Sequence, residues 1–284
     1  MSLAQNTPEW LAKRKSFIGA SDASAIMGVS PWKTAYTLWQ EKLDLVNSPA
    51  MTDTMKRGHD LEEHGRRYFE NVMKMSLSPK VVFSNKHYFM MASLDGITED
   101  GKIACEIKCP GHADHEIAKE GEIPPKYIPQ LQHQLAVTGL DKMYYVSYTT
   151  FDVAIVVVER DQAYINDMIE KERVFWEEHV LKFVPPNMSD KDFVQKDDKE
   201  FFDAVNHFKQ MKLLFEEAEE ALESSRDDLI RICNGKSSLG FGVKVTKTMR
   251  RGNIDYSLID AIKDVDLDRY RKKPIETWRI TECN

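Results

Sequence analysis

The chain has 284 residues and a formal net charge of -7, with 42% hydrophobic and 30% charged residues. This is an ordinary globular composition, and no apolar run approaches the ~18 residues of a membrane-spanning helix. The acidic balance excludes a broadly basic nucleic-acid coat, so any contact with nucleic acid must come from a local positive patch.

The N-terminus "MSLAQNTPEW" has no basic region followed by an apolar stretch. A cytoplasmic protein is therefore expected. Next, "PEWLAKRKSFIGASDASAIMG" reads as helix, short break, helix, with Ser21 as cap of the second helix. A helix from about Thr34 to Leu45 follows the Pro31 turn. "MKRGHDLEEHGRRYFENVMKM" is a further helix with a partial apolar face. The period then changes. "PKVVFSNKHYFMMASLDG" contains two strands and "GKIACEIKC" a third, stopped by Pro110 and Gly111. His112 and His115 are read as loop residues. A helix runs from about Tyr127 to Thr138 and ends at Gly139. "KMYYVSYTT" and "VAIVVVER" form a hairpin, and a long amphipathic helix closes at Pro185–Pro186.

That Pro pair divides a core, residues 1–186, from an appendage, residues 187–284. The element order of the core fits a central mixed sheet with helices on both sides. In the appendage, Phe201, Phe208, Phe215, Leu222 and Leu229 recur every seven residues. This heptad row fits one long helix, packed on its own domain or extended as an arm. A small basic β element follows, with Lys244, Lys247, Arg250 and Arg251. The cysteines, Cys105, Cys109, Cys233 and Cys283, are too few and scattered for a disulfide framework. No second pair completes a zinc site at ordinary spacing.

Three charges sit in otherwise apolar strands: Asp95, Glu106 and Lys108. Glu106 and Lys108 are two apart and share a strand face. The connection "GITEDG" brings Asp95 close to Glu106. Two adjacent carboxylates repel unless a cation lies between them. Mg²⁺ (or Mn²⁺) favours such oxygen donors, and the Ile107 carbonyl is a further candidate ligand. The Lys108 ammonium can stabilise a phosphoryl oxyanion or orient a water. The pattern suits phosphodiester hydrolysis; a surface hairpin with an ordinary Glu–Lys pair is the alternative.

Asp95…Glu106-Ile107-Lys108 resembles the PD-(D/E)xK nuclease signature, with Leu94 where Pro is often found. "EWLAKRKSFIGASDASAIMGVSPWKTAYTLWQEK", "RGHDLEEH", "KYIPQLQHQLAVTG" and "YRKKPIETWRIT" resemble blocks of the lambda-exonuclease-like, YqaJ-type phage recombinases. The resemblance implies an α/β restriction-endonuclease-like core with a central mixed sheet. It implies that Asp95 and Glu106 hold metal, that Lys108 is the catalytic lysine, and that Glu62 holds a coordinated water or second ion. Tyr127 and Gln130 would face the scissile nucleotide, and Gln134 could extend that face. Arg14, Ser21 and Ser93 would grip a DNA 5′-phosphate. A plain N-cap is the alternative for Ser21, and a solvated basic patch for Arg14.

The expected activity is a Mg²⁺-dependent deoxyribonuclease that resects double-stranded DNA ends 5′→3′ and leaves 5′-phosphates. The implied partners are duplex ends, a single-strand annealing protein and further copies in a ring-like trimer, in a bacterial or phage-infected cell. A RecB- or Cas4-like nuclease, an endonuclease of the same superfamily and a non-cleaving DNA-binding module are the alternatives. The paucity of C-terminal cysteines argues against the iron–sulfur variety of the first.

Overall fold

The computed structural model describes Gln5 and residues 7–46 and 52–248. Arg250, Arg251, Cys283 and "YRKKPIETWRIT" lie outside the described residues. Two compact units are present, one ending at Phe193 and the other starting at Val194.

In the first unit, helix α1 (Pro8–Lys15) starts where the Thr7 side chain accepts from the Trp10 N–H. Strand β1 (Ile18–Gly19), a 3₁₀ turn (Ala20–Asp22) and the short α2 (Ala23–Ile26) follow. The expected break between two helices is thus a strand, because Ile18 pairs in parallel with Met90. Ser21 does not cap α2. Instead the Asp22 carboxylate accepts from the Gly19 N–H at 3.0 Å. Then come α3 (Ala35–Lys42), α4 (Asp53–Met73), β2 (Ser78–Phe83), β3 (Met90–Ile97), β4 (Ala104–Lys108), α5 (His112–Lys119), α6 (Ile128–Thr138), β5 (Lys142–Tyr148), β6 (Val153–Glu159) and α7 (Gln162–Val174). α6 ends at Gly139, whose φ of 74° suits glycine. α7 passes into a π-helical turn, Phe175–Val180. The histidines read as loop residues lie on α5 instead; His115 is buried and bonds the Ser147 hydroxyl at 2.8 Å.

The sheet is mixed, in the order β1-β3-β4-β5-β6, with β2 also on β3. β1–β3 and β4–β5 are parallel and the other pairs antiparallel. Its two faces are covered separately. Leu131 and Leu135 of α6 and Ile165 and Met168 of α7 join Ala92, Leu94 and Tyr145 in one core. Phe69 of α4 joins Leu77, Cys105, Ile107 and Val146 in the other. Each buried Leu, Ile, Val, Met or Phe among them contributes roughly 1.5–3 kcal/mol. Cys105 and Ile107 therefore turn to α4, and Glu106 between them turns to α6.

β3 is irregular where the site lies. Lys80 of β2 pairs with Leu94, but Ser78 pairs with Ile97. β3 carries one extra residue in this interval, a β-bulge containing Asp95. The bulge lets Leu94 and Ile97, three apart, enter the same core.

The second unit holds α8 (Lys199–Ile232), capped by Asp198, and a hairpin of β7 (Ser238–Gly240) and β8 (Val243–Val245). Its two-residue turn, Phe241–Gly242, has both φ values positive, as hairpin twist favours. No residue of α8 is buried, and the whole heptad row is exposed.

Candidate active site

The β3–β4 register pairs Gly96 with Cys105, so Asp95 lies across from Glu106. The Asp95 carboxylate accepts from the Ile107 N–H at 2.8 Å. Glu106 is 2% exposed. Its Oε1 accepts from Lys108 Nζ at 2.6 Å and from Gln130, while its Oε2 accepts from Gln134 Nε2 at 2.5 Å. Gln130 and Gln134 are one turn apart on α6 and reach the sheet together.

Burial, reinforced by Glu62, pushes the Asp95 carboxyl up to about 8. Burial, reinforced by Asp95, pushes Glu106 up to about 7. Burial works against the Lys108 ammonium, but Glu106 and Asp95 outweigh it and raise its pKa. Burial and mutual repulsion thus disfavour two ionised carboxylates here, even with Lys108 beside them.

Glu62, on α4, lies close enough to the Asp95 carboxyl to help raise its pKa. Its other neighbour is His59, at 3.6 Å. α4 can come this close because of Gly65. A Cβ there would lie 2.8 Å from Ile107 Cγ2 and 3.2 Å from Tyr148 Cβ.

Among the described residues, no three His, Cys, Asp or Glu side chains form a ready ligand cluster. The donors nevertheless fit a hard divalent cation in kind. Asp95, Glu106 and the Ile107 carbonyl offer oxygen, and a bound cation would favour the ionised carboxylates that burial and mutual repulsion disfavour.

Tyr127 precedes α6. Its ring lies 5.9 Å from that of Tyr145 and 5.6 Å from Lys108 Nζ. Burial raises its phenol pKa.

The other sequence-predicted group also assembles. Arg14 Nη2 donates to Ser21 Oγ at 2.8 Å and to Asp22 Oδ1 at 3.2 Å. The guanidinium lies 4.9 Å from the Trp10 ring centre. Trp10 Nε1 donates to Ser93 Oγ at 3.0 Å. Beneath them Lys42 Nζ binds Asp22 Oδ2 at 2.6 Å and the carbonyls of Arg14 and Phe17. Burial alone would raise the Asp22 pKa, but Lys42 and Arg14 hold it well below the usual carboxylate range. Sequence reasoning missed Trp10, Asp22 and Lys42. Trp10 and Arg14 had a signal, their i,i+4 helical spacing; the ion pair of Asp22 with Lys42 had none.

Residues 9–141 match the YqaJ-like viral recombinase domain. The matched residues include Arg14, Ser21, Glu62, Ser93, Asp95, Glu106, Lys108, Tyr127, Gln130 and Gln134. The chain is 30% identical over 179 residues to the uncharacterized protein YqaJ of Bacillus subtilis (strain 168), a match covering 61% of this chain and 56% of that protein. The chain thus spans little more than half the length of this curated relative. Among solved structures, the alkaline exonuclease LHK-Exo of Laribacter hongkongensis is 28% identical with a TM-score of 0.54, over 61% of this chain and 92% of that one. Its complex with dAMP matches equally. Over the matched part, the chain therefore shares the mixed-sheet α/β fold of an alkaline exonuclease. No helix among the described residues is long and apolar enough to cross a membrane.

Proposed function

We propose that this chain is a Mg²⁺- or Mn²⁺-dependent DNA exonuclease that resects double-stranded ends 5′→3′ and releases 5′-phosphorylated products. The observation that carries the reading is the joining of two clusters. Glu106, set between Lys108, Gln130 and Gln134, lies across the sheet from Asp95, and Gln134 also bonds the Ser93 carbonyl at 3.1 Å, on the strand that meets the Arg14 cluster. The likeness to an alkaline exonuclease supports the same reading.

Asp95, Glu106 and the Ile107 carbonyl would hold the metal, with Glu62 holding a coordinated water or a second ion. When bound, the ions supply Lewis-acid polarisation at phosphorus and acidify water. Lys108 stabilises the charge that develops on the phosphoryl oxygens and orients the attacking water. Gln130 and Gln134 keep the Glu106 carboxylate aimed, and Tyr127 walls the side where the scissile nucleotide lies. Arg14 forks onto a 5′-phosphate, Ser21 and Ser93 add hydroxyl donors, and this grip fixes polarity. The uncovered 3′-ended strand passes to a single-strand annealing protein. A ring-like homotrimer around DNA completes the reading, and native mass spectrometry tests that part.

The deciding experiment is digestion of linear duplexes, with and without 5′-phosphates, in Mg²⁺. Wild type will degrade both and favour the phosphorylated ends. Lys108→Ala will be inactive, and Arg14→Ala will lose the preference. Wild-type rates in Lys108→Ala would overturn the mechanism, and an unchanged preference in Arg14→Ala would overturn the polarity assignment.

A further inference from the structure

Trp32 lies in the segment between α2 and α3 and is 70% exposed, whereas Trp10, Trp39 and Trp176 are buried. It is not a loosely held side chain on a loose loop. The buried Ser30 hydroxyl accepts from the N–H groups of Trp32 and Lys33, both at 3.2 Å, and fixes the backbone. The indole stacks on the Tyr127 ring, with centroids 6.4 Å apart and planes 28° apart. Lys126 Nζ lies 5.1 Å from the Trp32 ring centre and 5.4 Å from that of Tyr127. Lys126 is itself anchored, through Asp114 at 2.6 Å and through its carbonyl, which accepts from the Ser24 hydroxyl at 2.7 Å.

A continuous series of contacts therefore runs from the Glu106–Lys108 pair, through Tyr127, to an open indole beside an ammonium. Nothing in the packing of the fold asks for that indole; it leaves most of its apolar surface in water. A flat π-face next to a cation is what an unstacked nucleobase and its adjoining phosphate require.

We propose that Trp32 is a base-stacking platform for the nucleotide of the cleaved strand that lies next to the scissile phosphate, with Lys126 meeting the adjacent backbone phosphate. The inference rests on the nuclease reading above and adds to it a subsite for a base. Stacking tolerates every base, so the platform secures the strand without selecting sequence. It favours a strand end already peeled from the duplex, because a base stacked between its neighbours has no free face to offer.

The test uses 5′-phosphorylated linear duplexes whose first, second or third nucleotide is replaced in turn by an abasic analogue. Wild type will lose about tenfold in kcat/KM at one of these positions. Trp32→Ala will lose about tenfold on the intact duplex and show no further loss with the abasic one. Trp32→Phe will keep most of the wild-type rate. A second measurement is independent of catalysis. In EDTA, a 5′-phosphorylated single-stranded oligonucleotide will quench tryptophan fluorescence in wild type, and the quench will vanish in Trp32→Ala of unchanged melting temperature. Full activity and full quenching in Trp32→Ala would overturn the platform, as would losses from Trp32→Ala and the abasic site that multiply. Wild type that binds the oligonucleotide through Trp32 but digests no duplex in Mg²⁺ would instead overturn the nuclease reading and leave the base subsite standing.

Discussion

Gly65 of α4 meets Ile107 of β4 so closely that a Cβ at Gly65 would come within 2.8 Å of Ile107 Cγ2. Ile107 is buried, β-branched and flanked by Glu106 and Lys108, so it has little room to yield. Gly65→Ala will push α4 outward and carry Glu62, one turn away, off Asp95. Overpacking of this kind costs about 1–3 kcal/mol. Thermal melting will show that loss, and digestion will fall further than the melting temperature implies. Gly58→Ala is the stability control, because nothing lies within 4 Å of the added Cβ.

Gln134 uses its amide nitrogen twice, toward Glu106 Oε2 and toward the Ser93 carbonyl. Gln134→Leu removes both bonds and keeps the approximate size. A hydrogen bond to a buried charged group is worth about 1.5–3 kcal/mol. The variant will lose roughly ten- to a hundredfold in kcat/KM and will also discriminate less between phosphorylated and unphosphorylated ends. A loss confined to the rate would mean that the amide serves Glu106 alone.

Asp22 gives the acid limb of stability. Its folded-state pKa is depressed by Lys42 and Arg14, which outweigh burial. Its contribution is therefore complete above the unfolded value near ~3.9 and is lost as pH falls toward the folded value. Asp22→Asn leaves Lys42 as an uncompensated buried charge and will cost about 3–5 kcal/mol at neutral pH. Urea midpoints of wild type and variant will converge as pH drops below about 4.

Mg²⁺ will stabilise the folded chain, because a divalent ion offsets the burial and the mutual repulsion that raise the pKa values of Asp95 and Glu106. Adding it at 100 times its Kd raises stability by about 2.7 kcal/mol. A melting curve will move upward with Mg²⁺ in wild type and stay put in Asp95→Asn. EDTA will abolish digestion, and renewed Mg²⁺ will restore it.

The placement of the candidate site residues was legible where it is local. Glu106 and Lys108 are two apart on one strand, Asp95 precedes them across a short hairpin, and Gln130 and Gln134 share one turn of α6. Strand periodicity and helix spacing carry such information directly. What escaped was set by pairing at a distance. Ile18 becomes a strand only because Met90 receives it. His115 enters a helix and the interior because Ser147, on β5, answers its ring. Lys42 belongs to the Arg14 cluster although their segments share no pattern. The extra residue in β3 shows only against β2. The heptad row of α8 was legible as a helix, but not the exposure of its whole length.

That extra residue also decides where the chain can change its length. Between Leu94 and Ile97 every position has a fixed errand: Leu94 and Ile97 enter one core, and a Cβ at Gly96 would lie 2.8 Å from Cys105 Sγ. Deleting a single residue there would remove the bulge, leave Leu94 and Ile97 on one face of a regular strand, and cost the site either the Asp95 carboxylate or the close contact that Gly96 allows. A few residues further on, Glu99 and Asp100 are exposed and Gly101 turns at a φ of 71°. Insertions will be absorbed at that tip. Tolerance and intolerance to length variation thus sit side by side in one hairpin, and the boundary between them falls just past Ile97.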